Sequence, residues 1–387
     1  MLRNSNMNVS RLVFWQNIVS PHQVPYMREL LSGHGVEEIT LVVSEPLRTD
    51  LASQGWVTPS TGRLNILVKP DTETVEKILI RYTRSSVHIL GGVKGSPVGG
   101  AVLARRKQAG YGCGLICEGG NFRGGKGALR RVLYAAEQVR YRGCVDFILA
   151  MGQDGVDWYR NVGWPKKQIF PFAYVTETPT DVSNSTGETR NEKGETVRLL
   201  FVGQMIPRKG VDVLLKALAR CGIQREWRLI LAGTGPNLSE HKALSASLGL
   251  GDKTEFLGAV PNPKIHGLMA SSDLLILSSR FDGWGAVVNE ALMCGTPVLC
   301  SDACGSKDLL DNPMRGEAVQ TENIGKWAEA LLRRIERGRV PAGERKQIRE
   351  WSLNIGGPRV ADYFMAVLRH VYSGSPCPLP PWNSTSA

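Results

Sequence analysis

The chain has no run of about eighteen consecutive apolar residues, the length a helix needs to cross a bilayer. Residues 1–20 also lack the apolar core and small-residue cleavage site of a secretory leader, so the expected compartment is the cytosol. The eight cysteines show no paired metal-ligand spacing and sit mostly inside apolar runs, which reads as reduced core residues. Acid is scarce between Arg81 and Arg142, where twelve Lys and Arg face only Glu118 and Glu137, a local charge of +10 within a total of +11. Such a field attracts polyanions, either an anionic membrane surface or nucleic acid. The aromatic residues among these bases are few, Tyr82, Tyr111, Phe122, Tyr134 and Tyr141, and a stacking platform of the kind single-stranded nucleic acid needs is not evident.

What is present is a long alternation of strand and helix signals. With 387 residues the chain exceeds one ordinary core and suits two domains of similar size. Apolar runs at 11–16, 39–43, 64–68, 87–90, 113–117 and 147–151, with helical stretches between most of them, predict a mainly parallel sheet with helices on both faces. The loops at 17–22 and 118–125 follow strands and so fall on the ligand edge of such a sheet, which makes Asn17, His22 and Glu118 candidates for substrate contact. A helix over 126–142 carries Leu129, Val132, Leu133 and Ala136 on one face, predicted to pack on the sheet, and leaves Arg130, Arg131, Arg140 and Arg142 outside. The polar stretch 177–197 cannot build a core and reads as a linker between a first domain over 1–176 and a second over 198–356. A last helix covers 357–372, and the Pro- and Ser-rich tail 373–387 is predicted to be disordered.

In the second half, a strand at 198–202 runs into Gly203-Gln204-Met205-Ile206-Pro207-Arg208-Lys209-Gly210. Two adjacent cations in a Gly-bounded loop are placed to neutralise a diphosphate. The Gly233-Thr234-Gly235 turn alone is a weak signal. Residues 280–302, RFDGWGAVVNEALMCGTPVLCSD, carry the most information. An apolar run ending in Ser278-Ser279-Arg280 reads as a strand leaving the sheet, and the following Phe281-Asp282-Gly283-Trp284-Gly285 loop has two glycines for tight turns and close approach to a ligand. A helix then starts at Ala286 with its unpaired N–H groups facing that loop, an arrangement that attracts phosphate. Glu290 lies about a turn further in, before Gly295 and Pro297 stop the helix. An acid, a Gly-rich loop, a helix start and a second acid suit a ligand with both hydroxyls and a diphosphate.

This stretch resembles the EGFG…E signature of the retaining GT-B glycosyltransferases, in particular glycosyltransferase family 4. Seven residues separate Asp282 from Glu290, as in that signature, with Asp in place of the usual first Glu. The resemblance implies an α/β chain of two Rossmann-like domains facing a cleft, the C-terminal one binding a nucleotide-diphosphate sugar and the N-terminal one presenting the acceptor. It implies that Asp282 contacts the transferred sugar, that the amides of Gly283, Trp284, Gly285, Ala286 and Val287 hold sugar and phosphate, and that Glu290 binds the ribose hydroxyls. Arg208 and Lys209 would contact the donor diphosphate. Gly203 and Gln204 belong to the same loop, with Gln204 where an Arg is common, and Gly258 and Val260 would lie near the base. His88 is not taken as catalytic, because Leu90 stands where family members often carry a second His.

The absence of an Asp-x-Asp motif argues against the metal-dependent alternative fold, and neither metal nor other cofactor is expected, since the nucleotide sugar is a substrate. The expected acceptor is a glycolipid or lipid-linked saccharide of bacterial cell-envelope polysaccharide or lipopolysaccharide synthesis. The expected partners are this acceptor, the nucleotide sugar and the anionic inner face of the plasma membrane, with no nucleic acid. Two alternatives stay open: a sugar-nucleotide epimerase of the same architecture, and a non-catalytic protein of the membrane surface.

Overall fold

Short strands that are apolar on both faces, alternating with helices, build two all-parallel sheets, because only a sheet covered on both sides by crossover helices buries such strands. The computed structural model describes residues 8–46, 59–92, 98–120, 124–179 and 196–383. By contacts between Cα atoms the chain divides into two units, one drawn from Met1–Arg48, Val57–Glu177 and Asn354–Ala387, the other mainly from Thr178–Leu353. The expected linker at 177–197 falls largely outside the described residues.

The first unit contains β1 (Arg11–Gln16), α1 (Val24–Leu30), β2 (Glu38–Val43), β3 (Asn65–Val68), α2 (Thr72–Arg81), β4 (Ser86–Leu90), α3 (Gly99–Ala109), β5 (Gly112–Cys117), α4 (Gly124–Gln138), β6 (Phe147–Met151), α5 (Gly152–Asn161) and β7 (Ile169–Phe172). Its sheet runs β3-β2-β1-β4-β5-β6-β7. Every pairing is parallel, for example Arg11 with Glu38 and with Ser86 on the two sides of β1. Asp71 caps α2 by accepting from the Thr74 amide at 2.8 Å.

The second unit contains β8 (Val197–Val202), α6 (Val211–Arg220), β9 (Trp227–Ala232), α7 (Leu238–Ser247), β10 (Thr254–Gly258), α8 (Asn262–Ser271), β11 (Leu274–Leu277), α9 (Val287–Met293), β12 (Val298–Ser301), β13 (Gly316–Val319), α10 (Ile324–Arg337) and α11 (Ala342–Ser352). Its sheet runs β10-β9-β8-β11-β12-β13. Counted from the first strand of each unit, both sheets contain the order 3-2-1-4-5-6, the doubly wound Rossmann arrangement. In that order the chain reverses direction of winding between strands 1 and 4, so a crevice opens at their carboxyl ends; in the second unit these are β8 and β11. The last helix, α12 (Gly357–Ser373), belongs to the first unit, where Gly357 lets it approach the Pro25 carbonyl of α1: an added Cβ would stand 3.1 Å from that oxygen.

Two sequence expectations are corrected, and one strand was not anticipated. The tail is ordered as far as Asn383, because Trp382 is buried and its ring meets Tyr363 of α12 edge-on at 5.9 Å. The apolar stripe of α4 does not pack on the sheet: Leu129, Val132 and Leu133 are each 63% exposed, while the helix leans on the core through Tyr134 and Ala135. A strand that the apolar pattern does not announce, β13, closes the second sheet at one edge. Its Gly-Glu-Ala-Val sequence has one large apolar side chain, and the pairing of Val298 with Gly316 through Ser301 with Val319 holds it in place.

Candidate functional site

The loops after β8 and β11 meet at the switch point of the second sheet, and they are the two that carry the charged candidates. The β8 loop folds through a short 3-10 turn at Pro207–Lys209 and ends in Gly210, whose φ of +65° begins α6. A side chain there is excluded twice over, by the left-handed backbone and because a Cβ would stand 2.1 Å from the Ser278 carbonyl oxygen. That close approach fastens the two loops together. Ser278 Oγ donates to the Gly210 carbonyl at 2.9 Å, and the Arg280 amide donates to the Arg208 carbonyl at 2.7 Å. Arg280 also grips Asp212 of α6 with both of its terminal nitrogens at 2.9 Å.

These ties bring Lys209 Nζ to 2.5 Å from Asp282 Oδ2, with Arg208 Nη1 3.6 Å from the same oxygen. The Lys209 and Asp282 side chains retain 14% and 13% of their exposure, so a charged pair stands at the mouth of the sheet, only partly open to water. Arg208 is more exposed and donates to the Phe281 carbonyl at 3.0 Å. The arrangement places two cations and a carboxylate around one point, from loops 73 residues apart in the chain.

Gly285, at φ +93°, turns the loop into α9; a Cβ on it would stand 2.8 Å from Leu277 and 3.1 Å from Ser306 Oγ, so the turn closes only without a side chain. Trp284 is expected to contribute its main-chain amide. Its indole is fully buried and donates to Asn289 Oδ1 at 2.8 Å, which leaves only its main chain on the ligand side. Gly283, Ala286 and Val287 complete this loop and helix start, all of them partly exposed. A third loop, after β12, supports the signature from beneath and was not singled out by sequence. The Asp282 amide donates to the Ala303 carbonyl at 3.0 Å and the Gly305 amide donates to the Asp282 carbonyl at 3.2 Å. Its sequence signal, Ala303-Cys304-Gly305-Ser306, is too ordinary to be read alone.

Gly203, Gln204 and Gly258 lie on one backbone network. The Gly203 amide donates to Ala232 at 3.0 Å, Met205 to Thr234 at 2.8 Å, and Gly233 to Gly258 at 2.7 Å. The Gly233-Thr234-Gly235 turn thus sits between the β8 and β10 loops. Val260 is two residues beyond Gly258 and partly exposed.

Glu290, in the first turn of α9, is mostly withdrawn from water, and loss of hydration pushes its carboxyl up to about 7. A carboxyl whose pKa is raised on folding stabilises the fold most below its ordinary value near 4.5, and that contribution is lost as pH climbs to 7. Glu290→Gln, which keeps the shape and removes the titration, is therefore expected to melt at the same temperature as the native chain near pH 4 and above it at pH 8, by up to about 3 kcal/mol. Thermal melts across that range check the sign; equal melting temperatures throughout would remove the argument.

In the first unit, His22 and Glu118 come together through Tyr174, a residue sequence reasoning passed over. The Tyr174 ring stacks on His22 at 5.5 Å and its hydroxyl donates to Glu118 at 2.8 Å. The segment after β7 returns across the sheet to do this, with the Val175 amide donating to the His22 carbonyl at 2.9 Å. Burial lowers His22 to about 4, so it is neutral at pH 7. Asn17, directly after β1, is exposed, and its carbonyl accepts from the Glu45 amide at 3.0 Å. His88 is a core residue stacked on Tyr111 at 3.9 Å and receiving the Trp15 indole N–H at 3.1 Å.

Two parallel-sheet Rossmann-like domains of this kind are the architecture of GT-B glycosyltransferases, and solved structures of that type superpose on the chain. An Anabaena protein, Alr3699/HepE, crystallised with UDP, is 15% identical over 92% of this chain and 99% of its own, with a TM-score of 0.69. A lipopolysaccharide outer core galactosyltransferase, WaaB, is 16% identical over 92% and 99%, with a TM-score of 0.66. Residues 186–351 match the family described as glycosyl transferases group 1, so the second unit carries a glycosyltransferase group 1 domain. A D-inositol 3-phosphate glycosyltransferase of Saccharomonospora viridis is 29% identical over 185 residues, which is 45% of this chain and 43% of that protein. The chain thus spans less than half the length of the curated relatives it matches.

Proposed function

We propose that the chain is a retaining glycosyltransferase that moves a sugar from a nucleotide-diphosphate sugar to a saccharide acceptor. The observation that carries this reading is the meeting of Arg208, Lys209 and Asp282 at the β8/β11 switch point, beside the Gly285 turn. Catalysis on this reading is mainly electrostatic. The bond from the anomeric carbon to the diphosphate oxygen breaks, Lys209 and Arg208 balance the charge growing on the departing diphosphate, and the main-chain N–H groups at 285–287 share it. The acceptor hydroxyl forms the new bond on the same face of the sugar, and its proton passes to a leaving phosphate oxygen. Asp282 contacts the sugar, and Glu290 receives the ribose hydroxyls. The first unit, with His22, Tyr174 and Glu118 at its carboxyl edge, presents the acceptor.

A lipid-linked saccharide of cell-envelope polysaccharide or lipopolysaccharide synthesis is the acceptor class we favour. Its support is the resemblance of the signature and the local charge of +10 between Arg81 and Arg142, which suits an enzyme working at the cytoplasmic face of a membrane. Thermal shift against UDP, GDP and their sugars tests the donor half. A ligand at about 100 times its dissociation constant adds about 2.7 kcal/mol to the folded state, a rise of several degrees. No rise with any nucleotide would overturn the proposal. Conversion of a nucleotide sugar into a new one without acceptor would favour the epimerase instead.

A further inference from the structure

We infer that the corner of the second unit formed by β8, β9 and β10 binds a soluble sugar monophosphate, at the sheet edge opposite the candidate donor site. The inference goes beyond the proposed reaction and does not depend on it. Val197, Leu199, Trp227 and Leu229 pack into the core on one face of the sheet. Side chains alternate along a strand, so Arg198, Arg228 and Ile230 stand on the other face. There a cavity of about 480 Å³ opens, and its lining includes Arg198, Arg228, Ile230, Lys253, Glu255 and Leu268. That volume falls within the range of small-molecule sites and holds a phosphorylated hexose. The cavity lies at the amino ends of β8, β9 and β10, whereas the candidate donor loops leave the carboxyl ends of β8 and β11. Most of the length of β8 therefore separates the two sites.

Charge decides the ligand. Arg198 and Arg228 are directly opposed in the pairing of β8 with β9, so their side chains start from adjacent positions on one face. Like charges placed opposite each other repel. Among the described residues neither guanidinium has a carboxylate partner, whereas Arg280, Arg333 and Arg337 of the same unit each have one. Arg228 donates to the Asp252 carbonyl at 3.3 Å, and both arginines remain exposed. Lys253 adds a third cation at the rim, its Nζ 5.3 Å from the centre of the Trp227 ring. A dianionic phosphate between two planar forks relieves the repulsion and takes charge-assisted hydrogen bonds from each. Glu255 sets the rest of the ligand. It is level with Ile230 in the pairing of β10 with β9, two residues and about 7 Å along the strands from Arg228. A carboxylate there disfavours bare phosphate or an acidic peptide and accepts from hydroxyls. Ile230 and Leu268 offer an apolar floor to the C–H face of a sugar ring. Among the described residues no aromatic side chain lines the cavity, which disfavours the base of a nucleotide.

The test is titration calorimetry and thermal melting of the full chain with glucose 6-phosphate, mannose 6-phosphate, inorganic phosphate and glucose, each with and without saturating UDP. The sugar phosphates are expected to bind and to raise the melting temperature, inorganic phosphate to bind more weakly and glucose not at all. UDP should leave these affinities unchanged. Arg198→Gln and Arg228→Gln should each weaken sugar phosphate binding about tenfold, the loss of one charge-assisted hydrogen bond. The melting temperature of the free chain and its response to UDP should not move. Glu255→Ala should strengthen inorganic phosphate and narrow the advantage of the sugar phosphates over it. No binding of either sugar phosphate, inorganic phosphate binding as tightly as they do, displacement by UDP, unchanged affinity in both arginine variants, or an unchanged advantage in Glu255→Ala would each overturn the inference. A chain that takes UDP but neither sugar phosphate would sink this site alone, and one that takes a sugar phosphate but no nucleotide would sink the proposed reaction alone.

Discussion

Lys209→Met is expected to lower the turnover number by about 10²–10³-fold with little change in melting temperature. The methionine keeps most of the aliphatic stem and removes the charge that stands 2.5 Å from Asp282 at the sheet's carboxyl edge. Because Lys209 is largely screened from solvent and Arg208 is 45% exposed, the two cations should not be equal. A charge in a drier setting acts on the leaving diphosphate through a lower effective dielectric, so Arg208→Met should cost less. The measurement is a steady-state comparison with whichever sugar nucleotide raises the melting temperature most. A fall in kcat marks a contact made in the transition state, whereas a rise in KM alone marks uniform binding of the donor. Turnover of Lys209→Met within threefold of native would remove Lys209 from the mechanism.

The largest loss of stability is expected at the base of the same domain. Arg345 of α11 and Asp273, just before β11, are both 1% exposed in their side chains and 2.8 Å apart. Asp273 also accepts from the Arg198 amide at 3.0 Å and the Val340 amide at 3.3 Å, and Arg345 donates to the Ser272 carbonyl at 2.6 Å. The pair thus ties β8, β11 and α11 at the end of the sheet opposite the candidate site. Asp273→Ala strands a buried guanidinium and is expected to cost about 3–5 kcal/mol. For a unit of this size that lowers the melting temperature by about 10 °C. Arg345→Met with Asp273→Leu should recover part of the loss, because no fully buried charge is then stranded; Arg339, 3.7 Å from Asp273, also loses this partner but is 25% exposed to water. Melts of the single and double variants check this, and a single-variant loss under about 1 kcal/mol would show that water reaches the pair.

Much of the fold was legible because parallel strands buried on both faces leave continuous apolar runs, as at Arg11–Gln16, Phe147–Met151 and Leu274–Leu277. Asn65–Val68 and Gly316–Val319 show how far such reading goes: the first is only partly buried, and the second is held by its neighbour Val298–Ser301 more than by its own composition. The candidate donor site was legible for a related reason. Gly210, Lys209, Asp282 and Gly285 are types that a tight turn or a diphosphate demands, and they sit next to strand ends. Tyr174 and the loop at 303–306 were not legible. Their side chains and amides act on residues 56 to 152 positions away for the one and about 21 for the other, and no local pattern encodes such contacts.

The sequence by itself determined the alternation of strand and helix, the division into two units and the residue types at each strand end, since these follow from burial, backbone freedom and charge along the chain. Tertiary structure decided which of those residues meet. Lys209 finds Asp282 because the order 2-1-4 sets β8 beside β11; Trp284 turns inward because Asn289 satisfies its N–H in the core. It also decided the facing of α4. Periodicity defines an aliphatic stripe but carries no sign, and only the packing of Tyr134 and Ala135 against the core fixes the other side toward solvent.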